Sequence, residues 1–328
     1  HTMKNKVTIL GAGISGLTCG FEFIKLGNWS VRIYEQLSIP GGMARTENHK
    51  NFFFDMGPHL YHTPDQSTVE YWKINFKDLL VEKQLWSKNF KYGKYIDYPL
   101  ASTTLDYFDK STKSKIISEI KKYSSSDLKS TAKNFREYVT GLVGPTMQKM
   151  FFEEYPKKLW GISTDKMSAN WAPKRISFRE KYEPFYYDQF CSVGRYGAGV
   201  IPKKMSDEIK EKDGSINYNK SVNRIEIKEK RISRIHFEDG TKINIEPGEI
   251  VISTISVNRI SKYIGLDSKL EFRGVVLVYL IVKKPFVLPD GVDFVYHDDP
   301  KFMFHRVTEQ KKYNDEGLPK ESSLVCFE

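Results

Sequence analysis

The chain has 328 residues, 14% of them aromatic, with 51 Lys+Arg against 41 Asp+Glu and a formal net charge of +10. That length suits about two domains around a sizeable core. No compact basic block of nucleic-acid type occurs, so the excess charge reads as a lysine-rich surface, and its sharper use would be attracting anionic small molecules. Cys19, Cys191 and Cys326 lie far apart, a spacing that excludes a disulfide framework and a paired-cysteine metal site and suits a reducing cytoplasm. No signal-peptide pattern and no run apolar enough to span a bilayer is visible. His1-Thr2 ahead of Met3 reads as a tag remnant.

The first organised stretch covers residues 7–35. The apolar run Val7-Thr8-Ile9-Leu10 leads into Gly11-Ala12-Gly13-Ile14-Ser15-Gly16. A helical pattern of Ile14, Leu17, Phe21 and Ile24 stops at Gly27, and a second apolar run, Val31-Arg32-Ile33-Tyr34, ends in Glu35. Strand, glycine turn, helix, strand and acid in this order form the dinucleotide-binding unit. Gly11 permits the tight turn, Gly13 lets the backbone approach a pyrophosphate, and Gly16 allows close helix–strand packing. The helix N-terminus, with Ser15 in its first turn, offers N–H groups to that pyrophosphate, and Glu35 accepts from a ribose diol.

Pro40-Gly41-Gly42-Met43-Ala44-Arg45 follows the acid. A double glycine here bends the backbone against a cofactor, with Arg45 facing a phosphate. Two-domain flavoproteins commonly carry this turn, so the expected dinucleotide is FAD. Phe52-Phe53-Phe54 reads as a buried strand leading into Asp55-Met56-Gly57-Pro58-His59-Leu60-Tyr61-His62. The two histidines lack further metal ligands, and the Gly57-Pro58 turn places them on a loop beside the flavin ring. Thr63-Pro64-Asp65 caps a helix to about Leu80, and residues 88–98 make a hairpin around Tyr92-Gly93.

Residues 101–155 read as helical, with Ile116, Ile117, Ile120 and Tyr123 on one face and Phe135, Tyr138, Val139 and Leu142 on another. Ser124-Ser125-Ser126 is a linker. Trp160 offers a flat face for a base. Arg175 and Arg179, four apart, share a face if helical and can grip a diphosphate bidentately; a solvated arginine stripe and a core tryptophan are the plain alternatives. Beyond Gly194-Arg195-Tyr196-Gly197-Ala198-Gly199 come a helix at 201–211 and strands at 216–218, 222–227, 232–237 and 243–245. Residues 249–254 read as a parallel strand returning to the cofactor domain, with more sheet at 275–282, 292–296, 302–306 and 324–327.

These residues resemble the UDP-galactopyranose mutase family, within the amine-oxidase and protoporphyrinogen-oxidase-like flavoproteins. The resemblance runs along nearly the whole chain, and its specific segments are 57–63, Tyr155-Pro156-Lys157-Lys158-Leu159-Trp160-Gly161, Lys174-Arg175-Ile176-Ser177-Phe178-Arg179 and His305-Arg306-Val307-Thr308-Glu309. It implies that Arg179 and Arg306 hold a diphosphate and that Trp160 and Tyr155, with Arg175 and Tyr186, contact a UDP-hexose. It also places His59 and His62 beside the isoalloxazine ring, and His62 joins the two arginines as a catalytic expectation. Cofactor-binding expectations are Gly11, Gly13, Ser15, Gly16, Glu35, Gly41, Gly42, Arg45, Gly57 and His59; no metal is expected. Pro156 and Leu159 depart from the polar residues usual in the tryptophan segment, and Ala198 interrupts a glycine pair. The chain stops at Glu328, ahead of the region that in the family returns to the Rossmann domain and closes over the flavin.

The expected fold is α/β. A Rossmann-type FAD domain (3–98 and 195–265) carries an inserted helical subdomain (99–170) and a sheet-based substrate domain (171–194 and 266–328). The resemblance implies an isomerase that interconverts nucleotide-sugar pyranose and furanose forms through an adduct between N5 of reduced FAD and the sugar. The alternatives are an FAD-dependent oxidase or desaturase, whose site needs an aromatic or apolar cage rather than converging arginines, and a non-catalytic nucleotide-binding protein.

Overall fold

The first apolar run of the chain becomes the central strand of a parallel sheet. In the computed structural model, which describes residues 4–173 and 176–328, Asn5–Leu10 pairs parallel with Trp29–Tyr34 on one side and Ile250–Ser253 on the other. Ser215–Asn217 extends the sheet beyond Trp29–Tyr34. Val7, Ile9, Leu10, Val31 and Ile33 are all buried, the near-continuous apolar character of parallel strands covered on both faces. The helix Ile14–Lys25 lies so close that a Cβ on Gly20 would meet Ile33 at 2.8 Å and Ile209, of the helix Val200–Glu211, at 3.2 Å. Leu10 and Tyr34 also pack against an antiparallel sheet of Val222–Lys228, Arg231–Phe237 and Lys242–Asn244. There the Phe237 ring stacks on Tyr34 at 4.9 Å.

These elements belong to one compact unit, formed by the residues up to Leu60 with Glu70–Val81 and Val193–Phe272. The other comprises Tyr61–Val69, Glu82–Ser192 and Arg273–Glu328. Its sheet has six strands, in the order Val278–Val282, Ser323–Phe327, Arg306–Glu309, Phe294–Tyr296, Ser87–Lys91 and Lys94–Tyr98. The hairpin expected at 88–98 is therefore present, but it joins the second unit rather than the cofactor domain, because Ser87, Lys88 and Asn89 pair in parallel with Phe294, Val295 and Tyr296. Such a pairing between distant segments leaves no local trace in the sequence.

The helices Lys110–Ser124 and Phe135–Phe151 share one core with that hairpin. Ile96, Ile116, Phe135, Val139, Met147 and Phe151 are buried in it, with Tyr138 and Leu142 packed alongside. Each fully buried phenylalanine there contributes roughly 2–3 kcal/mol. Ile117 leaves the expected face and is exposed, since it stands about 100° round the helix from Ile116. The helix after Asp65 runs Gln66–Phe76 and is capped by the Asp65 carboxylate, which accepts from Thr68 N–H at 2.7 Å. It stops short of Leu80, which opens a strand.

Gly16 gives a direct test of the helix–strand contact. A Cβ there would lie 2.0 Å from the Gly11 carbonyl oxygen, a clash with backbone that no rotamer relieves. Gly16→Ala should cost about 3 kcal/mol or more. Gly27→Ala, at φ +75 with open space around it, should cost only about 1 kcal/mol. Denaturant melts of the two variants measure the difference, and equal costs would contradict the packing.

Candidate functional site

Within the first unit the glycine turn and the double-glycine turn come into backbone contact. Gly11 N–H donates to Tyr34 O at 2.8 Å, and Gly41 N–H donates to Ala12 O at 2.8 Å. A Cβ on Gly42, whose φ is +56, would sit 3.1 Å from the Gly13 Cα, so the double-glycine turn has little room for a side chain where the two meet. The helix Ile14–Lys25 starts at Gly13 with no side-chain cap, which leaves its first-turn N–H groups, Ser15 among them, for an anion. Glu35 is buried; its carboxylate accepts from Ala12 N–H at 2.7 Å and Leu37 N–H at 2.8 Å. Each carboxylate oxygen keeps a further acceptor position for a ribose hydroxyl. Arg45 braces the turn, donating to Gly42 O at 3.0 Å, and pairs with Glu47 at 3.3 Å. This set of residues fits a dinucleotide, with Gly13, Ser15 and the Gly41-Gly42 turn as the groups that would hold its pyrophosphate.

Gly57 adopts φ +86, and His59 Nδ1 lies 3.0 Å from its carbonyl oxygen. Just before them, Asp55 accepts from the Thr46 hydroxyl and from Ala198 N–H at 3.0 Å, while Gly199 N–H donates to Thr46 Oγ1 at 2.7 Å. The alanine that interrupts the glycine pair is accommodated because its N–H, not its side chain, is what the network uses. Burial pushes the Asp55 carboxyl up to about 6 against the opposing effect of these hydrogen bonds.

In the second unit Trp160 ends the short helix Glu154–Trp160, which stops at Gly161 in the left-handed conformation. Pro156 falls in the first turn, where a missing N–H removes no helical hydrogen bond. Tyr155, from the same helix, packs edge-on against Tyr296 at 4.9 Å and His305 at 5.5 Å. Tyr296 in turn meets Tyr98 at 4.9 Å. Burial lifts the hydroxyls of Tyr98, Tyr155 and Tyr296 above the usual phenol range.

Arg306 hydrogen-bonds the Tyr296 side chain of this cluster. Arg179 is not helical. It forms a bridge with Ala101, its N–H bonding Leu100 O at 3.0 Å, which holds the chain extended. Arg175 lies outside the described residues. The Arg179 guanidinium donates to Pro184 O at 2.6 Å and Phe185 O at 3.0 Å, and sits 5.0 Å from the Tyr187 ring centre. Arg306 forms a two-pronged pair with Glu328, at 2.7 and 2.5 Å. Glu309 is occupied elsewhere, accepting from Val287 N–H at 2.9 Å and Leu288 N–H at 2.8 Å. His62 stacks on Tyr186 with centroids 3.6 Å apart and reaches Gln189 at 3.1 Å.

The strand expected at 302–306 begins only at Arg306. Ahead of it the Lys158 ammonium gathers the carbonyls of His297, Asp299 and Phe304, while His297 N–H still donates to His305 O at 2.8 Å. Burial lowers the Lys158 pKa and pushes His305 down to about 4. Sequence reasoning missed Glu328 and Tyr296, whose partners are close only in the folded sheet. It also passed over Lys158, although it lies inside the tryptophan segment.

The fold defines the class of molecule: an α/β protein of Rossmann type with a second sheet-bearing unit. Within that class, the chain belongs to the flavin-containing amine oxidoreductase family, which matches residues 14–325. Its cofactor class is a flavin. It is 27% identical over 203 residues to a dTDP-fucopyranose mutase of Escherichia coli, covering 59% of this chain and 52% of that protein. It is 29% identical over 100 residues to a 4,4'-diaponeurosporene oxygenase of Staphylococcus aureus, covering 29% of this chain and 20% of the oxygenase. The chain thus spans about half of the mutase and a fifth of the oxygenase. Among solved structures, reduced UDP-galactopyranose mutase superposes with a TM-score of 0.78 at 19% identity, over 99% of this chain and 74% of that one.

Asp55 yields a pH test. Its folded pKa of about 6 stands above the ordinary 3.8. The stability it confers is therefore complete below about pH 4 and lost as pH rises through 6, a change on the order of 3 kcal/mol. Asp55→Asn keeps an acceptor without the charge. Its melting temperature relative to the parent should climb between pH 4 and pH 7 and then level; a pH-independent difference would contradict this.

Proposed function

We propose that this chain carries out a pyranose–furanose interconversion of a nucleotide sugar, as a flavin-dependent isomerase whose flavin is FAD in the reduced state. The observation that carries the reading is the similarity to a dTDP-fucopyranose mutase over 59% of the chain. The arginine–tyrosine cluster of the second unit supports it. In this reading the first unit serves the flavin, the second takes the sugar nucleotide, and the setting is the cytoplasm, in keeping with three unpaired cysteines. A UDP-hexose is the substrate suggested by the sequence segments, and the relative makes a dTDP-hexose the second candidate.

A bound reduced flavin would supply an electron-rich centre that allows the anomeric C–O bond to break and re-form with no net redox change. The chain's own residues bind, orient and stabilise. Trp160 presents a half-exposed indole face to the base. Arg179 is pre-aimed by backbone carbonyls. Arg306 is held by Glu328 through Nε and Nη2 and also hydrogen-bonds the Tyr296 side chain, which fixes its guanidinium where a phosphate oxygen would lie in this reading. As the sugar–diphosphate bond breaks, charge gathers on the leaving phosphate, where two fixed guanidinium groups stabilise it most. His62 is held by Tyr186 and Gln189 within the second unit.

The deciding assay incubates the protein with dithionite and a UDP- or dTDP-hexopyranose. The furanose form should appear without stoichiometric use of reductant; hydrogen peroxide in proportion to product would instead mark an oxidase. Arg179→Ala should weaken nucleoside-diphosphate binding by about 2 kcal/mol, some thirtyfold, with partial recovery in Arg179→Lys. A lower melting temperature with unchanged affinity would show that Arg179 is only structural.

A further inference from the structure

Resting on the nucleotide-sugar reading, the geometry points to Arg273 as a further residue of that site, one that takes a phosphate of the nucleotide beside Trp160. Arg273 is exposed, and its guanidinium carbon sits 4.7 Å from the Trp160 ring centre. One arm, Nη1, donates to the Leu159 carbonyl in the same short helix. The Trp160 ring is steadied from another side by Trp171, edge-on at 5.8 Å.

Two features separate this from an ordinary surface arginine. The first is charge. Lys158 and Arg306 lie in the same neighbourhood, and all three cations act on His305. Lys158 is answered by carbonyls and by the nearby carboxylates of Asp298, Asp299 and Glu154, and Arg306 by Glu328. Among the described residues, no carboxylate lies within ion-pair distance of Arg273, so its exposed guanidinium has only water as its counterpart there. An anion is the natural complement.

The second is shape. A guanidinium lying over an indole keeps its N–H groups radiating at the rim, and only Nη1 is engaged by Leu159 O. The free edge is a planar fork suited to two phosphate oxygens, set against the aromatic surface proposed to receive the base. Base and phosphate of one nucleotide would thus be read by adjacent groups.

The test titrates the chain and its Arg273→Ala and Arg273→Lys variants with UDP and with uridine, by calorimetry. Arg273→Ala should weaken UDP about five- to tenfold while uridine affinity stays within about twofold, and Arg273→Lys should recover part of the loss. An unchanged melting temperature, expected for an exposed side chain, shows that the variants are folded. Equal losses for UDP and uridine would reduce Arg273 to a prop for Trp160, and no loss for either would remove it from the site. Should the parent chain bind neither UDP nor dTDP, the nucleotide-sugar reading itself fails; UDP binding indifferent to Arg273→Ala overturns only this inference.

Discussion

Cations held among tyrosine rings must have their charge answered, and the second unit is arranged around that requirement. An unanswered charge taken out of water costs several kcal/mol, more than most single contacts return. Arg306 meets it with a two-pronged carboxylate from the neighbouring strand. Arg179 and Lys158 meet it with backbone carbonyls instead. The carbonyls that answer these cations come from the segments 183–185 and 297–304, whose shapes apolar patterning alone would not give.

The mode of compensation also bears on chemistry. A carbonyl carries only a partial charge, so Arg179 keeps most of its positive potential, while Arg306 is fixed by Glu328 and the Tyr296 side chain. Fixed donors of this kind stabilise developing negative charge without reorganising at the moment of reaction. The first unit follows a different rule: there two glycine turns meet backbone to backbone, and a Cβ on Gly42 would crowd the Gly13 Cα at 3.1 Å.

What was legible in the sequence is what is local. Strand, glycine turn, helix, strand and Glu35 could be read in order because their spacing fixes their geometry, and the return of Ile250–Ser253 to the parallel sheet followed from its apolar run. Long-range partners were not legible. The hairpin at Ser87–Tyr98 reads equally well in either unit until Phe294–Tyr296 pairs with it. Arg179 and Arg306 stood out, but Glu328 looked like any acid at a strand end. Helical spacing of two arginines suggested a shared face, whereas Arg179 lies in extended backbone tied to Leu100 and Ser102. Arg273 opens an apolar stretch where a single charge invites no attention.

The central claim is that guanidinium groups in the second unit read the phosphates of a nucleotide while an aromatic face reads its base. Titrating the chain with thymidine, dTMP and dTDP under one buffer and salt condition addresses it directly, because each ligand adds one phosphate to the last. The account predicts that affinity climbs with each phosphate, by about tenfold or more at the second, and that the gain shrinks as salt is raised. Equal affinities across the three ligands would contradict it.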